Sequence, residues 1–218
     1  MRPFHEITEV VRALRRLAAP WAVAGGWAID LALGRVTRPH GDVDVALLRD
    51  DQDALRSALR TWAFSVVVDG VSRPWPSGAR VDAPTHEVHA RSRGGRAIEF
   101  LLNERDGADW RYRRDFAVRR PLARAFRDVA GGVRALAPEI VLLYKSKAPR
   151  AADDHDFRVA LPLLDDEARR WLTAALRRAD ARHPWASALA VDAQEWLTEP
   201  SSGSPGRGPL ATSPGPAA

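Results

Sequence analysis

Ile7, Val10, Val11, Leu14 and Leu17 recur at three- and four-residue intervals among charged neighbours, which predicts an amphipathic opening helix that Pro20 ends. Residues 21–24 then read as a short strand. Gly25 and Gly26 make a sharp turn into a helix over 27–33, with Gly34 in the usual stop position. A strand follows over 42–48. After it, Asp50 or Asp51 can cap a helix whose Leu55, Leu59 and Trp62 share a face. Phe64, Val66 and Val68 alternate as a strand, residues 70–84 read as a long loop rich in Pro, Gly and Ser, and 87–91 with 96–102 form a hairpin turned at Arg93, Gly94 and Gly95.

Beyond the hairpin the period changes from two to about 3.6. Residues 138–147, 154–164, 166–179 and 184–197 read as helices, each opened by proline or aspartate. The stretch WRYRRDFAVRRPLARAFR, 110–127, reads as an exposed helix whose Trp110, Tyr112 and Phe116 pack inward; arginine mixed with aromatics is also what single-strand nucleic-acid binders use. From Pro200 the chain is mostly Pro, Gly, Ser and Ala, too little apolar surface to offset chain entropy. The layout is an α/β half over 1–136, a helical half over 137–199 and a disordered tail over 200–218, with no internal repeat.

With 218 residues, 45% of them hydrophobic, the chain can bury a sizeable core. It has no cysteine, which excludes disulfides and thiolate metal sites and fits a reducing compartment. The charged N-terminal segment lacks the apolar run of a signal peptide, so a cytoplasmic location is expected, without a membrane. A net charge of +5 suits an anionic partner, although the near-exclusive use of arginine over lysine is also what coding bias produces. The two lysines, Lys145 and Lys147, stand together in YKSK.

The candidate chemistry lies in GGWAIDLALGRVTRPHGDVDV, 25–45. On a strand Asp42 and Asp44 project to one side while Val43 and Val45 enter the core. Two carboxylates so close repel unless a divalent cation sits between them, and hard oxygen ligands suit magnesium; a polar strand face is the plainer alternative. Just upstream, the glycine turn and helix start offer backbone N–H groups and a positive dipole end to a phosphate, or simply a tight turn. Ile98, Phe100 and Leu102 fill one face of a later strand and leave Glu99 on the other, a third carboxylate that completes a plausible two-metal phosphoryl-transfer site. Arg38 and His40 either face a triphosphate or serve a salt bridge to Asp42 or loop packing. Lys147 shares a helical face with Ile140, Leu143 and Tyr144, which points it inward toward a triphosphate, whereas the alternative is plain C-terminal dipole compensation. Asp153 to Asp156 read as a helix cap, or as acids that attract a cationic acceptor. No histidine pair has the i, i+4 spacing of a helical metal site.

The Gly-Gly-Trp-Ala-Ile-Asp block, the Gly-Arg-x-Thr-Arg-x-His linker and the Asp-x-Asp strand together resemble the antibiotic nucleotidyltransferases of the DNA polymerase beta superfamily, especially the aminoglycoside 2''-adenylyltransferases and the lincosamide nucleotidyltransferases. RAIEFLLNE and LAPEIVLLYKSK are similar to a broader nucleotidyltransferase group. The resemblance runs from the first strand to Lys147 and more loosely to Leu197. It implies an α+β fold, a mixed sheet flanked by helices and followed by a C-terminal helical bundle. It further implies that Gly25 and Gly26 bind nucleotide phosphates, Asp42 and Asp44 hold Mg2+, and Glu99 is ligand or general base, at a position where many members carry aspartate. The expected reaction moves AMP from ATP, or another nucleoside monophosphate, to a hydroxyl of a small acceptor such as an aminoglycoside; a nucleic-acid partner is not expected. An inactive nucleotidyltransferase scaffold with a nucleic-acid-binding or regulatory role is the alternative.

Overall fold

The computed structural model describes residues 4–190. The expected tail over 200–218 and the last part of the helix expected over 184–197 lie outside the described residues. In chain order the elements are α1 (His5–Leu14), β1 (Trp21–Val23), α2 (Gly25–Leu33), β2 (Asp44–Leu48), α3 (Gln52–Ala58), β3 (Ala63–Val68), β4 (Val71–Pro74), β5 (Glu87–Arg91), β6 (Ala97–Asp106), β7 (Asp109–Arg111), β8 (Arg119–Pro121), α4 (Leu122–Ala125), β9 (Phe126–Val129), β10 (Val133–Leu136), α5 (Pro138–Lys145), α6 (Ala151–Ala160) and α7 (Asp166–Ala179). A helical segment begins at Pro184.

The strands form one mixed sheet in the order β4-β3-β5-β6-β2-β1-β10-β9, with β7 pairing to the far end of β6 and β8 to β7. The order follows from alternation. Val45 and Leu47 of β2, Ile98, Phe100 and Leu102 of β6, and Val88 and Ala90 of β5 all turn to one face, where Ile7, Val10 and Leu14 of α1 and Leu55 of α3 cover them. The opposite face of β2 and β6 is left with Asp44, Ala46, Glu99 and Leu101, and it looks toward the C-terminal helices. Those helices share a second core with Ala28 and Ile29 of α2 and with Ala135 and Leu136 of β10. The α+β expectation holds, and among the described residues no helix is long and apolar enough to cross a membrane.

The strands β1, β3, β5 and β6 and helix α7 lie where the alternation and helical period put them, while β2 starts at Asp44 rather than at the expected Asp42. Asp51 precedes α3, yet its side chain makes no capping bond. Two regions depart from expectation. The loop over 70–84 begins with β4, a hairpin strand paired to β3 from Ser65↔Pro74 to Val68↔Val71, and buries Trp75 against Phe64, edge to face at 5.6 Å. The expected helix over 110–127 is instead β7, a loop, β8, α4 and the start of β9. Its aromatics divide: Trp110 and Tyr112 are buried, while Phe116 lies outside. Arg120 is fully buried within this segment, paired with Glu139 of α5 at 2.5 Å and with Glu167 of α7 at 3.0 Å. Those ion pairs bind the β7–β8 ribbon to both helices, and a ladder bond plus two long-range carboxylates outweigh the helical period of the arginine-rich stretch.

Candidate active site

Parallel pairing of β2 with β6 sets Asp44 beside Glu99, and antiparallel pairing of β6 with β5 sets Glu99 beside His89. All three residues therefore stand on one face of three neighbouring strands. Asp42 lies just before β2, outside the strand it was expected to open, and its carbonyl accepts a bond from Trp27 Nε1 at 2.9 Å. The carboxylates feel one another. Burial, then Asp42 and Glu99, push the Asp44 carboxyl up to about 7 against the pull of Lys145, and burial with Asp42 raises Glu99. Stacked anions with raised proton affinity are anions short of a counter-cation, and their hard oxygens match a divalent ion such as magnesium.

Gly25 explains its own identity. It opens α2 with φ +60, and a Cβ there would overlap Asp44 Oδ2 well inside van der Waals contact. Ala24 N–H donates to the Asp44 carbonyl at 2.8 Å, which locks the helix start against β2. The first turn of α2 thus directs unpaired N–H groups to the edge of the acidic cluster. A Cβ on Gly26 would meet the Arg38 guanidinium and His40 Cε1.

The linker from Gly34 to Asp42 is pinned by the buried Asp30 of α2. Thr37 Oγ1 donates to Asp30 Oδ1 at 2.6 Å, His40 Nε2 lies 2.7 Å from Asp30 Oδ2, and the His40 ring packs on Trp27 at 4.3 Å. Arg38 reaches across to α6, with Nε and Nη2 on the two oxygens of Asp156 at 2.8 and 2.7 Å. Arg38 and His40 are thus engaged with protein partners: a salt bridge to Asp156 rather than to Asp42 for the first, loop packing for the second. Asp30→Ala strips both Thr37 and His40 of a buried charged partner. It is expected to lower stability by about 1–3 kcal/mol, read as a drop in thermal midpoint, with transfer activity falling alongside.

Lys147 departs from the inward orientation expected of it, because α5 ends at Lys145 and Lys147 is exposed in the following loop. The inward lysine is Lys145, 2.7 Å from Asp153 and 3.0 Å from Asp156. α6 begins at Ala151, three residues ahead of the expected start, and Asp153 caps it by accepting from Arg150 N–H at 3.0 Å. Arg38, Asp156, Lys145, Asp153 and Arg150 form one chain of ion pairs that ties the linker to α5 and α6.

Above the sheet a cavity of about 320 Å³ runs from Gly25 and Asp44 over Ala46 and Leu101 to Asn103, Tyr144 and the Arg113–Arg114 pair, and Lys145, Lys147 and Arg150 also line it. Its size suits a small ligand. Of the residues expected from the sequence, Gly25, Asp44 and Lys147 line this cavity; Asp42 and Glu99 do not line it and act on Asp44 through their charge. Reading the sequence missed Lys145, Arg113, Arg114 and Tyr144 as lining residues. It also missed Glu87 and His89, which with Glu99 form a group able to hold a metal ion, His89 Nε2 lying 2.7 Å from Glu87 Oε1. A helical i, i+4 test does not detect ligands spaced i, i+2 on a strand beside another strand; alternation across paired strands is the signal that would have found them.

The chain matches the family model described as aminoglycoside-2''-adenylyltransferase over residues 6–158, well over half its length. A solution structure of the antibiotic-resistance factor ANT(2'')-Ia aligns at TM-score 0.53 with 19% identity, covering 88% of this chain and 96% of that one. A crystal structure of ANT(2'')-Ia in complex with adenylyl-2''-tobramycin aligns at TM-score 0.54 with 19% identity, covering 79% and 96%. No curated protein matches the chain. The two structures share the fold, and the family match extends from α1 through most of α6: this chain belongs to the aminoglycoside-2''-adenylyltransferase family and is a nucleotidyltransferase.

Proposed function

We propose that this enzyme transfers AMP from ATP, with magnesium, to a hydroxyl of a small-molecule acceptor, an aminoglycoside antibiotic being the first candidate. The observation that carries the reading is Asp44 paired with Glu99 across β2 and β6 and within electrostatic reach of Asp42, where Asp44 and Gly25 line a ligand-sized cavity. Asp42 and Asp44 would hold the ion, with Glu99 next to them; magnesium supplies charge neutralisation to a polyphosphate. The α2 first turn and Gly25, whose missing side chain leaves room for backbone approach, bind the phosphates. Glu99, its proton affinity raised by burial and by Asp42, takes the proton of the acceptor hydroxyl. The hydroxyl oxygen forms a bond to the α-phosphorus as the bond to the β-phosphate oxygen breaks, and pyrophosphate leaves. Asp30, Arg38 and His40 act by holding the linker so that Asp42 and Asp44 point outward, a positioning role rather than direct phosphate contact.

Lys147, exposed on the cavity rim, contacts the triphosphate in this reading. Lys147→Ala is expected to raise the Michaelis constant for ATP about fivefold or more with little change in kcat; steady-state kinetics at varied ATP check it. The nucleic-acid reading of 110–127 loses its platform, since Trp110 and Tyr112 are buried and cannot stack on bases. The test of the whole reading is incubation of the protein with magnesium and labelled ATP or GTP against a panel of aminoglycosides and lincosamides, read by mass. A gain of one nucleotidyl group on an acceptor supports it; pyrophosphate release with none of them moves the acceptor elsewhere, and no release with any acceptor refutes it.

A further inference from the structure

The deeply placed arginines Arg38, Arg49 and Arg120 each lie against a carboxylate. Arg113 does not. Among the described residues no carboxylate lies within 4 Å of its guanidinium, which instead stands 5.3 Å from the centre of the Tyr144 ring in the cavity wall. Arg114 follows it, with Nη1 donating to Tyr112 Oη at 3.1 Å and to the Tyr144 carbonyl at 3.0 Å, bonds that neutralise no charge. His86 lines the same corner. Burial and Arg114 lower the proton affinity of Arg113, and burial, Arg113 and Arg114 lower that of His86, with the Glu87 carboxylate opposing in both cases without reversing the direction.

The corner is rigid as well as cationic. The loop between β7 and β8 closes on itself through Tyr112 N–H to Val118 O, Asp115 N–H to Tyr112 O and Val118 N–H to Asp115 O, each at 3.0 Å. It is fastened to α7 by Asp115 and Arg178. A preorganised pair of guanidinium groups with free donors in a cavity is arranged for an oxyanion, which each can bind with two parallel N–H bonds. The corner borders β5, which is separated from Asp44 on β2 by the width of β6, roughly 10 Å.

We propose that Arg113 and Arg114 form an anion subsite that receives a phosphate or carboxylate group of one of the enzyme's two substrates. The proposal rests on the reading of this cavity as the substrate cavity. One source is the polyphosphate of the nucleotide; the other is an acidic group on the acceptor, in which case the part of the acceptor that enters this corner is anionic rather than cationic.

The test titrates full-length protein with inorganic phosphate by calorimetry, alone and with a saturating non-hydrolysable α,β-methylene analogue of ATP plus magnesium. The wild type is expected to bind phosphate, and Arg113→Gln to weaken it about tenfold or more, with Arg113→Lys in between and the thermal midpoint of free protein little changed. Arg114→Gln, at an exposed position, gives the second reading should Arg113→Gln fold poorly. Phosphate binding that disappears when the analogue is bound assigns the subsite to the nucleotide, and binding that persists assigns it to the acceptor. Absence of phosphate binding, or equal binding by wild type and the Arg113→Gln/Arg114→Gln double variant, overturns the proposal. Phosphate binding by the free protein is read without turnover, so failure of the transfer reaction and failure of the anion subsite are told apart.

Discussion

Asp44→Asn is expected to cut magnesium-dependent nucleotidyl transfer by about a thousandfold or more, while raising the stability of the metal-free protein at pH 8. The first effect follows from removing a ligand charge at the point where phosphoryl charge must be neutralised, a contribution of several kcal/mol to the barrier. The second follows from the electrostatics of the cluster. The Asp44 carboxyl titrates near 7 in the folded chain and at its ordinary 3.8 when unfolded. Between those values the folded state holds a proton that the unfolded state has released, so stability falls as pH climbs from about 4 to 7, and the full penalty persists above that. At about 1.36 kcal/mol per unit the ceiling is ~4 kcal/mol, less whatever local relaxation relieves. Thermal unfolding at pH 5 and pH 8 should therefore show the variant gaining on the wild type mainly at the higher pH. Magnesium with nucleotide should raise the midpoint of the wild type and leave the variant unmoved. A metal-free variant less stable than wild type at pH 8 would contradict the account of Asp44 as an uncompensated charge.

Gly25→Ala is expected to be nearly as damaging to catalysis, about a hundredfold or more, and also to cost stability. Its Cβ would enter the space of the Asp44 carboxylate, and its φ of +60 is one that L residues adopt at a cost of about 1–2 kcal/mol. The carboxylate must swing away from Glu99 or α2 must withdraw from β2. Either movement spoils the donor set without removing any ligand. A variant that folds, binds nucleotide about as weakly as Asp44→Asn and transfers at a comparably low rate is the expected outcome in binding and turnover assays; wild-type turnover would show that close approach of backbone and carboxylate has no role.

Part of the acidic cluster was legible in the sequence, where a local rule applies; Asp42, just ahead of β2, falls outside it. Asp44 and Glu99 alternate with residues that must be buried, so their facing was fixed once Val45 and Leu47, and Ile98, Phe100 and Leu102, claimed the core. That β2 and β6 are neighbours was not local: the sequence offered it only as an option, and it is the register of Asp44 with Glu99 that shows it. Arg38 shows the opposite case. Its partner Asp156 lies 118 residues away, and no spacing within the linker points to it. Lys145 and Lys147 were confused because the inward face depends on where α5 ends, and a helix that continues as a turn keeps its period in the sequence after its hydrogen bonds stop. The ribbon and strands from β7 to β10 were hidden for a related reason. They are three or four residues long, and their arginines carry a helical period, while their pairing depends on β6 and on buried partners such as Glu139 from a helix not yet made.

The most direct measurement of the central claim is binding of Mn2+, a paramagnetic stand-in for magnesium, to full-length protein in the presence of the α,β-methylene ATP analogue, followed by electron paramagnetic resonance in wild type, Asp42→Asn and Asp44→Asn. Nucleotide-dependent uptake of the ion by the wild type, lost in both variants while their folded structure persists, is the expected result. Equal uptake by all three proteins would mean that the paired aspartates do not hold the ion, and the catalytic reading of the cluster would fall.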